Sequence, residues 1–179
     1  MSNLIPEPMS KLIDAFSRLP GVGPNTASRF TYFLLSQPED MSEGLATALR
    51  DMKTNTRFCS VCYNVIVNDL CPICSDPRRD HHTIVVVEEP LDVLAIERTG
   101  SYDGLYHVLH GAISPAKNIG PDKLRIRELV RRVETDTRVK EVIIATNPGQ
   151  EGDATAMFIE KNALAGKRVK ITRLARGLN

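Results

Sequence analysis

The sequence has almost no excess of charge of either sign. Lys and Arg number 23 against 22 Asp and Glu, a formal net charge of +1. That balance excludes a uniformly basic, histone-like binder, so any polyanion must be met by a local patch. Long apolar runs are missing too. The longest, Ile84-Val85-Val86-Val87 and Val142-Ile143-Ile144-Ala145, are strand-sized, whereas a membrane-spanning helix needs about 20 apolar residues. The start, Met1-Ser2-Asn3-Leu4-Ile5-Pro6-Glu7, lacks the basic residues and apolar core of a secretory signal. A cytoplasmic protein with no membrane partner is therefore expected. Internal repeats and low-complexity tracts are absent. With 42% hydrophobic and 25% charged residues, the 179-residue chain has ordinary globular composition, enough for one domain or two small ones.

Cysteine is confined to four positions, Cys59, Cys62, Cys71 and Cys74, in a C-x2-C-x8-C-x2-C pattern. Disulfides are disfavoured in a reducing compartment. Two clustered pairs with no fifth cysteine suit one tetrahedral zinc. Four buried free thiols, or a redox C-x-x-C pair, are the alternatives. The short spacer implies a compact pair of knuckles, with Asn64, Asp69 and Pro72 as turn residues. His81 and His82 could compete as ligands, but the site already has four. A closed four-thiolate site leaves no position for water, so the metal is expected to be structural.

Before the cysteines the apolar periodicity is helical. Met9, Leu12, Ile13 and Phe16 form one face, and Ala27, Phe30, Phe33 and Leu34 form the next. A third helix is expected from Ser42, as N-cap, through Leu45, Ala48, Leu49 and Met52. After the cysteines, β-branched runs at 83–87, 142–146 and 168–174 alternate with helical stretches at 91–98, 123–133 and about 153–165. A shorter strand is expected at 106–109 and a loop at 111–121. Buried strands alternating with helices predict a mostly parallel sheet. The fold class is thus α/β in several parts: a helical region at 1–56, a zinc module at 57–80 and an α/β domain at 81–179.

Two stretches carry chemistry. Leu19-Pro20-Gly21-Val22-Gly23 joins two amphipathic helices. Its glycines permit positive φ and a close ligand approach, and the following helix N-terminus is an anion site. The stretch resembles the helix-hairpin-helix motif of DNA-binding proteins that read the phosphate backbone without base information. On that reading Lys11, Arg18, Gly21, Gly23 and Arg29 are the DNA-contact candidates. A plain helix–helix turn is also compatible. The second stretch is Val87-Glu88-Glu89-Pro90 at a strand end, where open α/β sheets place their sites. It resembles the first signature of the Toprim fold of topoisomerases, primases and some nucleases, with Glu88 at the acid–base position and Asp92 matching a recurring Asp. The second Toprim signature, an Asp-x-Asp that binds Mg²⁺, falls on Asn147-Pro148-Gly149, so both aspartates are gone. Glu151 and Asp153 are the acids left nearby. Loss of two anionic ligands argues against metal-dependent phosphoryl transfer. Helix capping is the other use for these acids.

The order of hairpin, four-cysteine module and degenerate Toprim region resembles the RecR family of bacterial recombination mediators over nearly the whole chain. The match includes Cys71-Pro72-Ile73-Cys74-Ser75-Asp76-Pro77-Arg78-Arg79-Asp80, His107-Val108-Leu109-His110-Gly111-Ala112-Ile113-Ser114-Pro115, Ala145-Thr146-Asn147-Pro148 and Thr172-Arg173-Leu174-Ala175-Arg176-Gly177-Leu178. The resemblance implies a non-enzymatic DNA-binding protein of recombinational repair, associated with the bacterial nucleoid. Such a protein acts with RecF and RecO to load a recombinase at single-stranded gaps. The resemblance also implies a ring-shaped homotetramer. On this reading Glu88, Glu89, Glu151 and Asp153 are surface acids for partner docking. The rival expectation is a Mg²⁺-dependent Toprim nuclease or a topoisomerase. Family members usually continue past Arg-Gly-Leu into an acidic tail, whereas this chain ends at Asn179 with no Asp or Glu from Lys161 onward. An impaired C-terminal interface is the corresponding expectation.

Overall fold

The structure, a computed structural model, describes residues 4–174. Met1-Ser2-Asn3 of the N-terminal stretch, and the motif residues Ala175-Arg176-Gly177-Leu178, lie outside them. The chain divides into two compact units, Met1–Asn55 and Thr56–Asn179.

In the first unit, α1 (Glu7–Ser17), α2 (Pro24–Ser36) and α3 (Glu39–Asn55) follow one another. Both α1 and α2 carry a proline in the first turn, where a missing N–H costs nothing. The third helix begins earlier than expected. Ser42 lies inside α3, because Glu39 and Asp40 supply the negative charge a first turn favours. Only Ala27 and Thr31 are buried in α2, and none in α1 or α3. The Phe16 and Phe30 rings meet edge-on at 5.7 Å. Between the helices runs an apolar groove of about 760 Å³, lined by Met9, Leu12, Phe16, Leu34, Leu45 and Leu49.

In the second unit, β1 (Arg57–Phe58) and β2 (Val65–Ile66) form an antiparallel ribbon, followed by the short helix α4 (Pro72–Ser75). Then come β3 (Asp80–Val87), α5 (Pro90–Glu97), β4 (Gly104–Val108), α6 (Ile126–Thr135), β5 (Glu141–Ile144), α7 (Gln150–Phe158) and β6 (Lys170–Arg173). The sheet is all-parallel with strand order β4-β3-β5-β6. The chain leaves β3 toward β4, then crosses back to β5. The strand order therefore reverses between β3 and β5, and ligand crevices of open α/β sheets form beyond the carboxyl ends at such a point.

The continuous apolar run of β3 follows from burial on both faces. Ile84 and Val86 join the core under α6 and α7, with Leu105, Leu129, Val133 and Ile159. Val85 and Val87 face the other way, with Val93, Tyr106 and Val108. The expected helix at about 153–165 is α7 plus a π-helical turn at Ile159–Ala163. The expected loop holds two short 3-10 turns, Pro115–Lys117 and Pro121–Lys123. The zinc module is tied to the sheet: Val108 N donates to Cys62 O at 2.8 Å, and Arg79 reaches Glu97, Tyr102 O and Gly104 O.

His107 on β4 is fully buried, with Nε2 donating to the Arg125 carbonyl at 2.8 Å. Burial is the main cause of a pKa lowered to about 3, with Arg132 acting in the same direction. The unfolded chain takes up a proton below about 6.5 while the folded one does not, so stability is lost as pH falls from that point toward 3. At pH 5 the loss is about 2 kcal/mol. In urea titrations, His107→Gln should narrow the gap between pH 7 and pH 5 by about this amount. Equal gaps for the two chains would contradict the burial account.

Candidate functional sites

The hairpin connects α1 to α2. Gly21 has φ +78, a conformation other residues adopt only under strain. Gly23 differs: its φ is −81, and a Cβ there would meet nothing within 4 Å. Sterics inside the chain therefore do not demand glycine at 23, whereas close approach of an external group would. Gly23 caps α2 with no side-chain hydrogen bond, leaving the first-turn amides to an outside acceptor. Arg18 caps the end of α1 and is exposed, as is Arg29. Lys11 lies two turns before the hairpin and pairs with Glu7 at 2.7 Å, so its charge is partly spent within α1.

Cys59, Cys62, Cys71 and Cys74 converge, with all four sulfurs within 4.8 Å of one another. Cys62 Sγ and Cys71 Sγ are 3.5 Å apart, close to the ~3.8 Å edge of a tetrahedron built on Zn–S bonds of about 2.3 Å. Three of the four are buried. Asn64, Asp69 and Pro72 serve the knuckles: Asn64 Oδ1 accepts from Val65 N, Asp69 O accepts from Ser60 N, and Pro72 opens α4. The Cys71 N–H donates to Cys59 Sγ and the Cys74 N–H to Cys71 Sγ, as suits thiolate ligands. Hydrogen bonds from Cys62 and Cys74 pull Cys71 down to about 2. The contact with Cys71, together with burial, pushes Cys62 up to about 12, and contacts with Cys62 and Cys71 push Cys74 higher still. Four crowded thiols cannot all ionise unaided; a dication relieves that repulsion. His82 pairs with Asp80 instead.

The strand-tip acids separate into different roles. Glu88, expected at the surface, is only 9% exposed. Its Oε1 accepts from Asn147 N and its Oε2 from Asn147 Nδ2, both at 2.9 Å. The amide at 147 thus holds the carboxylate from the neighbouring strand tip. A Cβ on Gly152 would come within 2.0 Å of Asn147 O and 2.9 Å of Glu88 Oε1, so glycine is required where α7 passes this clasp. Asp92 caps α5 by accepting from Glu89 N at 2.8 Å, the structural use foreseen for such acids. Glu151 accepts from Ser114 Oγ at 2.6 Å and from Lys117 Nζ at 3.2 Å. Those two contacts, the serine first, hold its carboxyl below the usual range. Asp153 stands with Glu151 in the first turn of α7. Ser114 and Lys117 escaped sequence reasoning because nothing in a loop's composition says which helix it will touch. The hydroxyls of Tyr102 and Tyr106 donate to Leu105 O and to Glu97 Oε1, so neither is poised as a nucleophile.

Residues 82–175 match the Toprim domain, residues 9–53 the RecR helix-hairpin-helix and residues 56–76 the RecR four-cysteine zinc finger domain. The chain is 51% identical to the recombination protein RecR of Herpetosiphon aurantiacus over 175 residues, covering 98% of this chain and 85% of that protein. It is 53% identical to RecR of Chloroflexus aggregans over 175 residues, 98% and 84% of the two chains. RecR of Carboxydothermus hydrogenoformans is 49% identical over 172 residues, 96% and 85% respectively. The matching zinc finger and the four converging sulfurs give one structural zinc.

Structural zinc in such modules is worth about 10–16 kcal/mol, comparable to the whole stability of a domain, about 5–15 kcal/mol. A strong chelator should therefore release one zinc per chain and lower the melting temperature. An unchanged melting curve after the metal has left would contradict a stabilising role.

Asn147→Asp should set two carboxylates against each other and cost about 1–3 kcal/mol at pH 7. Excess Mn²⁺ should then stabilise the variant more than the parent chain. Urea midpoints with and without Mn²⁺ check both statements.

Proposed function

The chain belongs to the RecR family of recombination proteins, and from that membership we propose that it is a non-enzymatic, DNA-binding mediator of recombinational repair. The reading divides labour among a hairpin region at 1–56, a zinc module at 57–80 and a Toprim-like region at 81–179. The hairpin contacts the phosphate backbone through the free amides opening α2, with Gly21 setting the turn and Gly23 admitting the phosphate. Arg18 and Arg29, with Lys11 more distantly, add charge. These contacts read no base and so favour no sequence.

The observation that carries the non-enzymatic part is the clasp between Glu88 and Asn147. Phosphoryl-transfer metals require hard anionic oxygens free to ligate. Both oxygens of Glu88 are occupied by N–H donors, and Asn147 presents an amide where the Toprim pattern has an aspartate. This favours the mediator over a Mg²⁺-dependent Toprim nuclease or topoisomerase.

Glu89, Glu151 and Asp153 remain as a docking face for RecF- or RecO-like partners during loading of recombinase at single-stranded gaps. Glu88 would act there through positioning, since it is buried. Homotetramer formation fits the helical unit, whose groove exposes Leu45 at 41%, Leu49 at 55% and Leu35 at 67%, surface that a second copy would remove from water. A cytoplasmic, nucleoid-associated location follows from this role; no helix among the described residues is long and apolar enough to cross a membrane.

Fluorescence anisotropy with labelled duplex DNA tests the reading. Gly23→Ala should cost only about 1 kcal/mol, a few degrees of melting temperature, as a weaker cap of α2, yet weaken binding in the still-folded chain, and Arg18→Glu should flatten the salt dependence by about one unit of log–log slope. Duplex affinity unchanged in both variants would refute the hairpin contact.

A further inference from the structure

Phe58, at the end of β1, leaves 48% of its surface exposed. Its ring is not loose: it lies 4.3 Å from the His110 ring, tilted by 52°. His110 is itself fixed, with Nε2 2.7 Å from the Tyr63 carbonyl. Both His110 and Tyr63 sit at positive φ, 62 and 64 respectively. Such strained residues persist only where surrounding structure holds them, and they cluster at binding sites. Two turns of unfavourable backbone are thus maintained in a pair that props up one exposed aromatic ring.

Beside this ring is a cavity of about 350 Å³ lined by Lys123, Arg125 and Arg127 together with Phe58 and His110. That volume lies within the ~300–1,000 Å³ of ordinary ligand sites. The acids lining it are Asp122 and Glu128, and Glu128 is neutralised by Arg125 at 2.9 Å. Arg127 and Arg131 are one turn apart on the solvent side of α6, opposite Ile126, Leu129 and Val133. Neither pairs with an acid among the described residues. Further along α6 a second cavity, about 360 Å³, is lined by Arg131, Arg132, Arg138, His81 and Ser60. There the Nη2 of Arg132 and the Nδ1 of His81 have no hydrogen-bond partner among the described residues.

We propose that this face is a second nucleic-acid contact, specific for a single strand: Phe58 stacks on a base while Lys123, in the turn before α6, and Arg127 and Arg131 on α6 take successive phosphates. An exposed ring beside a basic groove is the general composition of single-strand sites, since every unpaired base has a π-face to offer. A duplex keeps its bases stacked inside and can use only the cations. The contact goes beyond the hairpin, belonging to the other unit and using stacking that the hairpin lacks.

The test uses the full chain carrying Arg18→Glu and Arg29→Glu, so that the hairpin contributes little, with a labelled oligo-dT and a labelled duplex as probes. Adding Phe58→Ala should weaken oligo-dT binding roughly 5- to 150-fold with little effect on the duplex. Arg127→Glu with Arg131→Glu should lower the salt slope for oligo-dT by about 1.4. The sequence has no tryptophan, so Phe58→Trp supplies a lone indole whose emission should be quenched by oligo-dT. One zinc per chain in each variant confirms folding. Oligo-dT binding that vanishes on hairpin neutralisation alone would overturn this inference while leaving the hairpin reading intact. Duplex binding that survives hairpin neutralisation, with oligo-dT binding lost only in Phe58→Ala, would do the reverse. Indole emission indifferent to saturating oligo-dT overturns the stacking. Binding of polyglutamate, but not oligo-dT, at these residues would assign the face to an acidic protein segment and likewise overturn it.

Discussion

At the point where the strand order reverses, a buried carboxylate must find partners, and the α/β unit depends on how it does so. Glu88 ends β3 and Asn147 follows β5, so their two hydrogen bonds close the tip of the central strand pair. A buried anion without such partners is costly. Two carboxylates at this spot would demand a cation; one carboxylate and one amide satisfy each other. Asn147, standing where the Toprim pattern has an aspartate, thus gives Glu88 two donors from the chain itself. Gly152 lets α7 pass within contact of the clasp, and Ser114 with Lys117 holds Glu151 aside.

The zinc module makes the other decisive contribution. Two ribbon strands and a four-residue helix bury too little surface to hold a fold alone, and the metal supplies the difference. Its knuckle in turn holds Tyr63 and, through the Tyr63 carbonyl, His110. The exposed ring of Phe58 is thus positioned by a metal centre it does not touch, which links a structural ion to a candidate binding face.

Much of this was legible in the residues. Cysteine spacing specified the zinc centre, and β-branched runs separated by helical stretches specified the parallel sheet, because strands buried on both faces read as unbroken apolar runs. The loss of the aspartates was visible, but not its consequence. Spacing does not show that Asn147 donates twice to Glu88, nor that this buries Glu88 instead of exposing it. The start of α3 was misplaced because Ser42 is a good cap residue, yet Glu39 and Asp40 suit a first turn as well. The Phe58 face escaped notice because its parts come from β1, the 111–125 loop and α6, and only the folded chain brings them together.

The most direct measurement is incubation of the purified full chain with supercoiled DNA and Mg²⁺ or Mn²⁺, followed by electrophoresis. With the carboxylate of Glu88 already bound by an amide, the DNA should stay supercoiled at every metal concentration. Nicked or relaxed product that requires the metal and disappears in Glu88→Ala would contradict the account.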